Sequence, residues 1–243
     1  MDRLGVTVPE QLERQTKWLT EHWLWLLDTS VLPSLPALPS ALDVGSGPGL
    51  VAESISSRLN ITCLDSDLAS VQGCRSRGLK AVRGDAHYLP FPDRSFDMAY
   101  CSFALLWFRD PLKAVNEMLR VSRSWVLLLA EPDHGGRIDH PEGLLPLKEI
   151  ILNGMKQEGA DPLMGRKLRS LCSALDMDAD IGIHPGAWSL RRMRKEAEGE
   201  WDWISRTVGG TAHLETLRRE WDRALEQGTL FYHVPTFYAI IRK

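Results

Sequence analysis

Apolar and polar positions alternate along the chain in two rhythms. Short apolar runs at 41–44, 60–64, 80–82, 98–101 and 124–130 read as strands. Stretches at 50–59 and 68–77, and one opened by Asp110-Pro111, carry apolar residues at helical spacing. The run Trp125-Val126-Leu127-Leu128-Leu129 is apolar throughout, as a strand covered on both faces requires. Strand and helix take turns, which implies an α/β protein built on an open, doubly wound, mostly parallel sheet.

Elements outside this alternation are less regular. Residues 9–28 are expected to form a helix, with Leu12, Trp18, Leu19, Trp23 and Leu26 near one stripe and Trp25 off it. Pro33, Pro36 and Pro39 make a stiff connector into the first strand. Helices are expected at 141–158 and 164–175, a sixth strand at 178–184 and a last strand within 229–243. About forty residues separate those two strands, longer than a simple connection. The expected organisation is a helical cap and linker over 1–39, a core over 40–186 and 228–243, and a helical insert over 187–227.

At 243 residues and 44% hydrophobic content the chain is long enough to bury a full core. A net charge of -3 gives no reason to expect nucleic acid as a partner. The apolar stretch at 18–35 is interrupted by Glu21, Asp28 and Pro33, so neither a signal peptide nor a membrane span is expected. Cys63, Cys74, Cys101 and Cys172 lack pairing or metal-ligand spacing, which points to a reducing, cytoplasmic setting.

The chemistry-bearing stretch is Asp43-Val44-Gly45-Ser46-Gly47-Pro48-Gly49, a glycine turn between a strand and a helix. Such a turn lets a nucleotide-like ligand approach the backbone. Its third glycine comes one residue earlier than in the G-x-G-x-x-G of dinucleotide folds, which argues against a nicotinamide dehydrogenase. Asp65 follows at the end of the second strand, about 20 residues on, where a carboxylate accepts from ribose hydroxyls. Gly84-Asp85-Ala86 closes the third strand, where a second carboxylate suits an exocyclic adenine amine.

Together with Leu89-Pro90-Phe91-Pro92-Asp93-Arg94-Ser95-Phe96-Asp97, these motifs resemble a class I S-adenosylmethionine-dependent methyltransferase. Within that class the resemblance is to the "type 11" group that includes ubiquinone and menaquinone methyltransferases, and it covers residues 41–131. It implies a seven-stranded, mostly parallel sheet with an antiparallel last strand. It assigns Gly45, Gly47 and Gly49 to the methionine part of the cofactor, and Asp43 to that turn and the cofactor's amino group. Asp65 takes the ribose, with Ser46, Ser66 and Asp67 beside the cofactor. Asp85 and Ala86 take the adenine; Cys101, Ser102 and Phe103 line the methionine side. The product is S-adenosylhomocysteine. Where relatives often carry a polar residue after the fourth strand, this chain has Leu105-Leu106-Trp107.

The acceptor side is read from the residues alone. Trp107, Asp133 and His134 are candidate acceptor contacts, with His134 as general base and Asp133 as its orienting partner. His87 and Tyr88 stand behind it as alternatives. His134 and His140 lack the spacing of a metal site, so no metal is expected. The run from Arg191 to Glu200 reads as a solvated helix face. The tryptophans at 18, 23, 25, 188, 201, 203 and 221 fit either cap cores or the walls of an apolar pocket under a lid. The expected activity is methyl transfer to a small apolar or aromatic acceptor; the alternative is a noncatalytic S-adenosylmethionine-binding regulator.

Overall fold

The computed structural model describes residues 9–186, 188–209 and 212–243. Residues 1–8 of the expected cap, and 187, 210 and 211 of the expected insert, lie outside them. The strands are β1 (Ser40–Val44), β2 (Asn60–Asp65), β3 (Lys80–Arg83), β4 (Phe96–Ser102), β5 (Ser122–Pro132), β6 (Ile138–His140), β7 (Ala179–Ile183), β8 (Phe231–His233) and β9 (Thr236–Arg242). Seven of them form one sheet in the order β3-β2-β1-β4-β5-β9-β7. Pairs from β3 to β5 are parallel, while β9 runs antiparallel to both β5 and β7. The strand order reverses between β1 and β4, so their carboxyl ends open onto one crevice.

The helices are α1 (Pro9–Leu26), α2 (Leu50–Ile55), α3 (Leu68–Ser76), α4 (Pro111–Val121), α5 (Pro146–Gln157), α6 (Met164–Ala174), α7 (Leu190–Val208) and α8 (Ala212–Gln227). Local chemistry sets several starts. Asp67 accepts from the Ser70 N–H to cap α3, and Asp110 accepts from the Lys113 N–H ahead of Pro111 to cap α4. One sheet face is covered by the second half of α1, whose Trp23 and Leu26, with Leu27 just past its end, pack with Ala41, Met98 and Leu127. The Trp23 indole N–H reaches the Leu129 carbonyl at 3.3 Å. Against the other face lie α4 to α8, with Met118, Leu168, Trp201 and Trp221 in one continuous cluster.

Three expectations are corrected. The helix expected over 50–59 stops at Ile55, where the Ser54 and Ser56 hydroxyls bond to the Val51 and Glu53 carbonyls at its end. The helix expected over 141–158 begins at Pro146, after a short turn at Glu142–Leu144. The last strand is two, divided at Val234-Pro235, and β8 leaves the main sheet to pair with β6. Proline has no N–H to continue a ladder there. α7 and α8 contribute to the same core cluster as α5. Gly154 leaves the space that the Thr207 carbonyl occupies, which brings α5 and α7 close.

Candidate active site

The glycine turn follows β1 and is pinned over the end of β2, where the Gly45 and Ser46 N–H groups donate to the Leu64 carbonyl at 2.8 and 3.1 Å. Gly45, Gly47 and Gly49 have φ of 73°, 51° and 87°, conformations that side chains disfavour. A Cβ on Gly45 would lie 2.9 Å from that of Ala104, whereas one on Gly47 would meet nothing nearer than Leu12 of α1 at 3.9 Å. The Gly47 side is therefore an open cradle roofed by α1.

Asp65 braces this turn. Its Oδ2 accepts from the Gly47 N–H at 2.8 Å and its Oδ1 from the Asp67 N–H at 2.9 Å. Burial pushes its carboxyl above the ordinary range, against those bonds. Ser66 and Asp67 are exposed beside it, and Ser46 is buried 3.6 Å from the Cys74 sulfur. Asp43, wholly buried at the end of β1, is held well above the carboxylate range by burial, against the hydrogen bond that its side chain shares with the Tyr100 hydroxyl of β4. Two residues beyond Tyr100, at the end of β4, Ser102 Oγ is buried and unpartnered.

At the end of β3, Asp85 Oδ1 accepts from the His87 N–H at 2.9 Å and lies 2.6 Å from His87 Nδ1. His87 Nε2 accepts from the Asp110 N–H at 3.2 Å, so the proton sits on Nδ1. The ring is thereby spent joining β3 to the start of α4. Tyr88 is exposed under the Lys113 ammonium. Neither alternative base lines the cavity described next. Ala86 and Cys101 are buried. Phe103 holds a φ of 54°, rare for a residue with a side chain, and its N–H donates to the Ala130 carbonyl at 2.7 Å. Glu131, not singled out from sequence, accepts from the N–H groups of Ala104, Leu105 and Leu106; burial pushes its carboxyl up to about 8.

Phe103 also borders an open cavity of about 90 Å³. Its walls come from the first half of α1, the turns after β5 and β7, α7 and the β8–β9 segment. His134 lines it, 7% exposed and stacked on Trp203 at 5.3 Å. Burial first, and Arg137 second, push its pKa down to about 3, and Nδ1 has no partner. Asp133 is not its orienting partner. That carboxylate accepts from the Gly135 N–H and from Arg166 of α6, because it caps the turn His134–Gly136. Trp107 packs against the core and does not line the cavity, and His140 is exposed on β6.

The wall also holds residues that sequence reading misplaced. Glu196 and Glu200 are buried, not solvated: four residues apart, they share the α7 face that meets Arg14 of α1. Any Cβ at Gly199 would collide with the Arg14 guanidinium, so glycine there admits it. Fully buried Arg137 pairs with Asp139 at 2.9 Å and Glu200 at 2.8 Å. His184 Nε2 donates to the Leu129 carbonyl at 2.6 Å, leaving Nδ1 to accept from His22 Nδ1 at 2.7 Å. Burial pushes the His184 pKa to about 4. The tryptophans divide: Trp18, Trp188 and Trp203 line the cavity, while Trp201 and Trp221 are buried core. Among the described residues, no group of three or more His, Cys, Asp or Glu side chains is placed to hold a metal. No described helix is long and apolar enough to cross a membrane.

A family model described as "Methyltransferase domain" matches residues 42–129. The chain is 37% identical over 121 residues to a demethylmenaquinone methyltransferase of Renibacterium salmoninarum, covering 47% of this chain and 49% of that protein. It thus spans about half the length of that relative. It is 27% identical to a ubiquinone/menaquinone biosynthesis C-methyltransferase of Hahella chejuensis, over 72% of this chain and 73% of that one. The solved YcgJ protein of Bacillus subtilis shares the fold, with a TM-score of 0.57 at 21% identity, covering 91% of this chain and 97% of the other.

Proposed function

We propose that the chain is a class I S-adenosylmethionine-dependent methyltransferase, on its match to a methyltransferase-domain model over residues 42–129, and that it methylates a small apolar or aromatic molecule. The observation that carries this reading is the open face of Gly47 in a positive-φ glycine turn that Asp65 braces, with the buried Asp43 carboxyl at the end of the strand before it. An amino-acid ammonium is the partner that keeps a buried carboxylate ionised. When bound, S-adenosylmethionine supplies a methyl group on a positively charged sulfur and leaves as S-adenosylhomocysteine.

The chain's own residues supply position. Asp65 holds the ribose while bracing the glycine turn, Asp85 and Ala86 meet the adenine, and Cys101, Ser102 and Phe103 border the methionine side. Holding two reactants in line accounts for much of such a rate enhancement. The first half of α1 and the Trp188 and Trp203 side chains exclude water from the aligned pair. His134, held neutral, is a weak base; its Nδ1 orients an acceptor proton more than it removes it. The four cysteines are all free and buried, in keeping with a reducing, cytoplasmic setting.

Calorimetry tests the reading. S-adenosylmethionine and S-adenosylhomocysteine are expected to bind and NAD is not; tighter binding of NAD would sink it. Ionisation of Asp43 on binding predicts release of a proton at neutral pH, seen as a dependence of the heat on the buffer's ionisation enthalpy.

A further inference from the structure

The adjacent strands β1, β4 and β5 end beside two buried acids, Asp43 on β1 and Glu131 on β5. Both push up the thiol of Cys101 on β4, the strand between them, so both lie close to it. Asp43 is proposed to meet the cofactor's ammonium; Glu131 has no part in that reading. It is 0% exposed, and no Lys, Arg or His of the described residues is paired with it. Its Oε1 accepts from the Ala104 and Leu105 N–H groups at 3.3 and 3.1 Å, and its Oε2 from the Leu106 N–H at 3.3 Å. Three N–H dipoles favour the ionised form, while burial without a cation opposes it. Burial is the larger effect and pushes the carboxyl up to about 8, which leaves it neutral in the free protein at pH 7. A positive charge placed nearby reverses that balance.

The position of the carboxyl shows which charge that is. Ala104, whose N–H it holds, abuts the glycine turn: a Cβ on Gly45 would lie 2.9 Å from that of Ala104. Phe103, the residue before, bonds to the Ala130 carbonyl next to Glu131 and borders the cavity. Glu131 thus lies behind the boundary between the glycine turn and the cavity, the boundary a transferred methyl group crosses. Charges on the neighbouring elements are committed. Arg166 of α6 pairs with Asp133, and Lys167 of α6 pairs with Asp161, whose N–H donates to the Leu106 carbonyl. Phe237, opposite Glu131 on β9, carries no charge, and His134 beyond β5 is held neutral.

S-adenosylmethionine has two cationic centres, an ammonium and a sulfonium, whereas S-adenosylhomocysteine keeps only the ammonium. Resting on the methyl-transfer reading, we infer that Glu131 is a specificity-determining residue, the buried counter-charge through which the site prefers the sulfonium of the reactant to the thioether of the product. Its carboxyl proton passes to solvent when the cationic ligand binds and returns when the neutral thioether takes its place.

The experiment measures both dissociation constants on the full chain by calorimetry across neutral pH and follows their ratio. The Asp43 proton is common to both ligands and cancels in that ratio. In wild type the preference for S-adenosylmethionine should rise about tenfold between about pH 6.5 and about pH 8 and level off above, because one proton leaves only with the cationic ligand. Cys74 beneath the glycine turn also titrates near neutrality, at about 7, and Glu131→Gln leaves it in place. In that variant the ratio should be flat with pH and about tenfold lower at pH 8, the worth of one pKa unit, with S-adenosylhomocysteine affinity unchanged. A purely structural role would weaken both ligands alike. The wild-type profile decides the matter if the variant fails to fold. A flat ratio in wild type, or one that still rises with pH in Glu131→Gln, would overturn the inference. Failure of both ligands to bind at any pH would instead remove the methyl-transfer reading.

Discussion

The strand-end edge proposed for the cofactor and the cavity proposed for the acceptor are built by opposite means. Asp43, Gly45, Asp65, Asp85 and Ser102 stand at the carboxyl ends of strands or in the turns that follow them, and parallel pairing sets their heights. Each can be found by asking where a strand ends. The cavity draws on α1, two turns, α7 and β8, and its walls join residues 18, 134, 200 and 232. No local rule relates them. A cofactor side assembled within one sheet edge is fixed by backbone geometry, while an acceptor side assembled across the fold is fixed by side-chain pairing.

The largest way to break that contrast is Arg137→Met. It leaves Asp139 and Glu200 buried without their cation, and should cost about 3–5 kcal/mol in urea denaturation. A loss below about 1 kcal/mol would show that the wall does not depend on this pairing. On the proposed cofactor side, Asp65→Ala removes acceptors from two backbone N–H groups as well as the proposed ribose contact. Cofactor binding should weaken by about 1.5–3 kcal/mol while the core stays folded; an unchanged dissociation constant would misplace the ribose.

Acidification sharpens the comparison, because both strongly depressed histidines border the cavity. His134 and His184 ordinarily titrate near 6.5 but are pushed to about 3 and about 4. Between those limits the unfolded chain binds protons that the folded chain refuses, so stability falls as pH falls below about 6.5. At pH 5.5 each contributes a loss of about 1.4 kcal/mol. His184→Gln should flatten the dependence; an identical slope in wild type and variant would show that this ring does not carry it.

The smallest effect is local. α1 is divided between the two roles, with Trp23 and Leu26 in the core and Gln11 and Trp18 on the cavity. Hydrogen exchange should show residues 11–19 gaining protection on binding S-adenosylhomocysteine, and residues 23–27 protected throughout. Equal protection of both halves in the free protein would make the whole helix plain core.

The sequence by itself determined the alternating strands and helices, the glycine turn and the acids at the ends of β2 and β3. These depend on short-range patterns: apolar runs, turn residues and caps. It did not disclose that Asp65 braces Gly47, that His87 is spent on Asp85 and Asp110, or that Asp133 turns to Arg166 in place of His134. Nor did it separate Glu196 and Glu200, drawn inward by Arg14 and Arg137, from Glu198, which stays exposed in the same run. A glutamate on a helix reads the same whether or not a distant guanidinium waits opposite its face. Only the tertiary structure brings residues 14, 137 and 200 together, because burial of a charge is decided by its partner and the partner by the packing of α1 against α7.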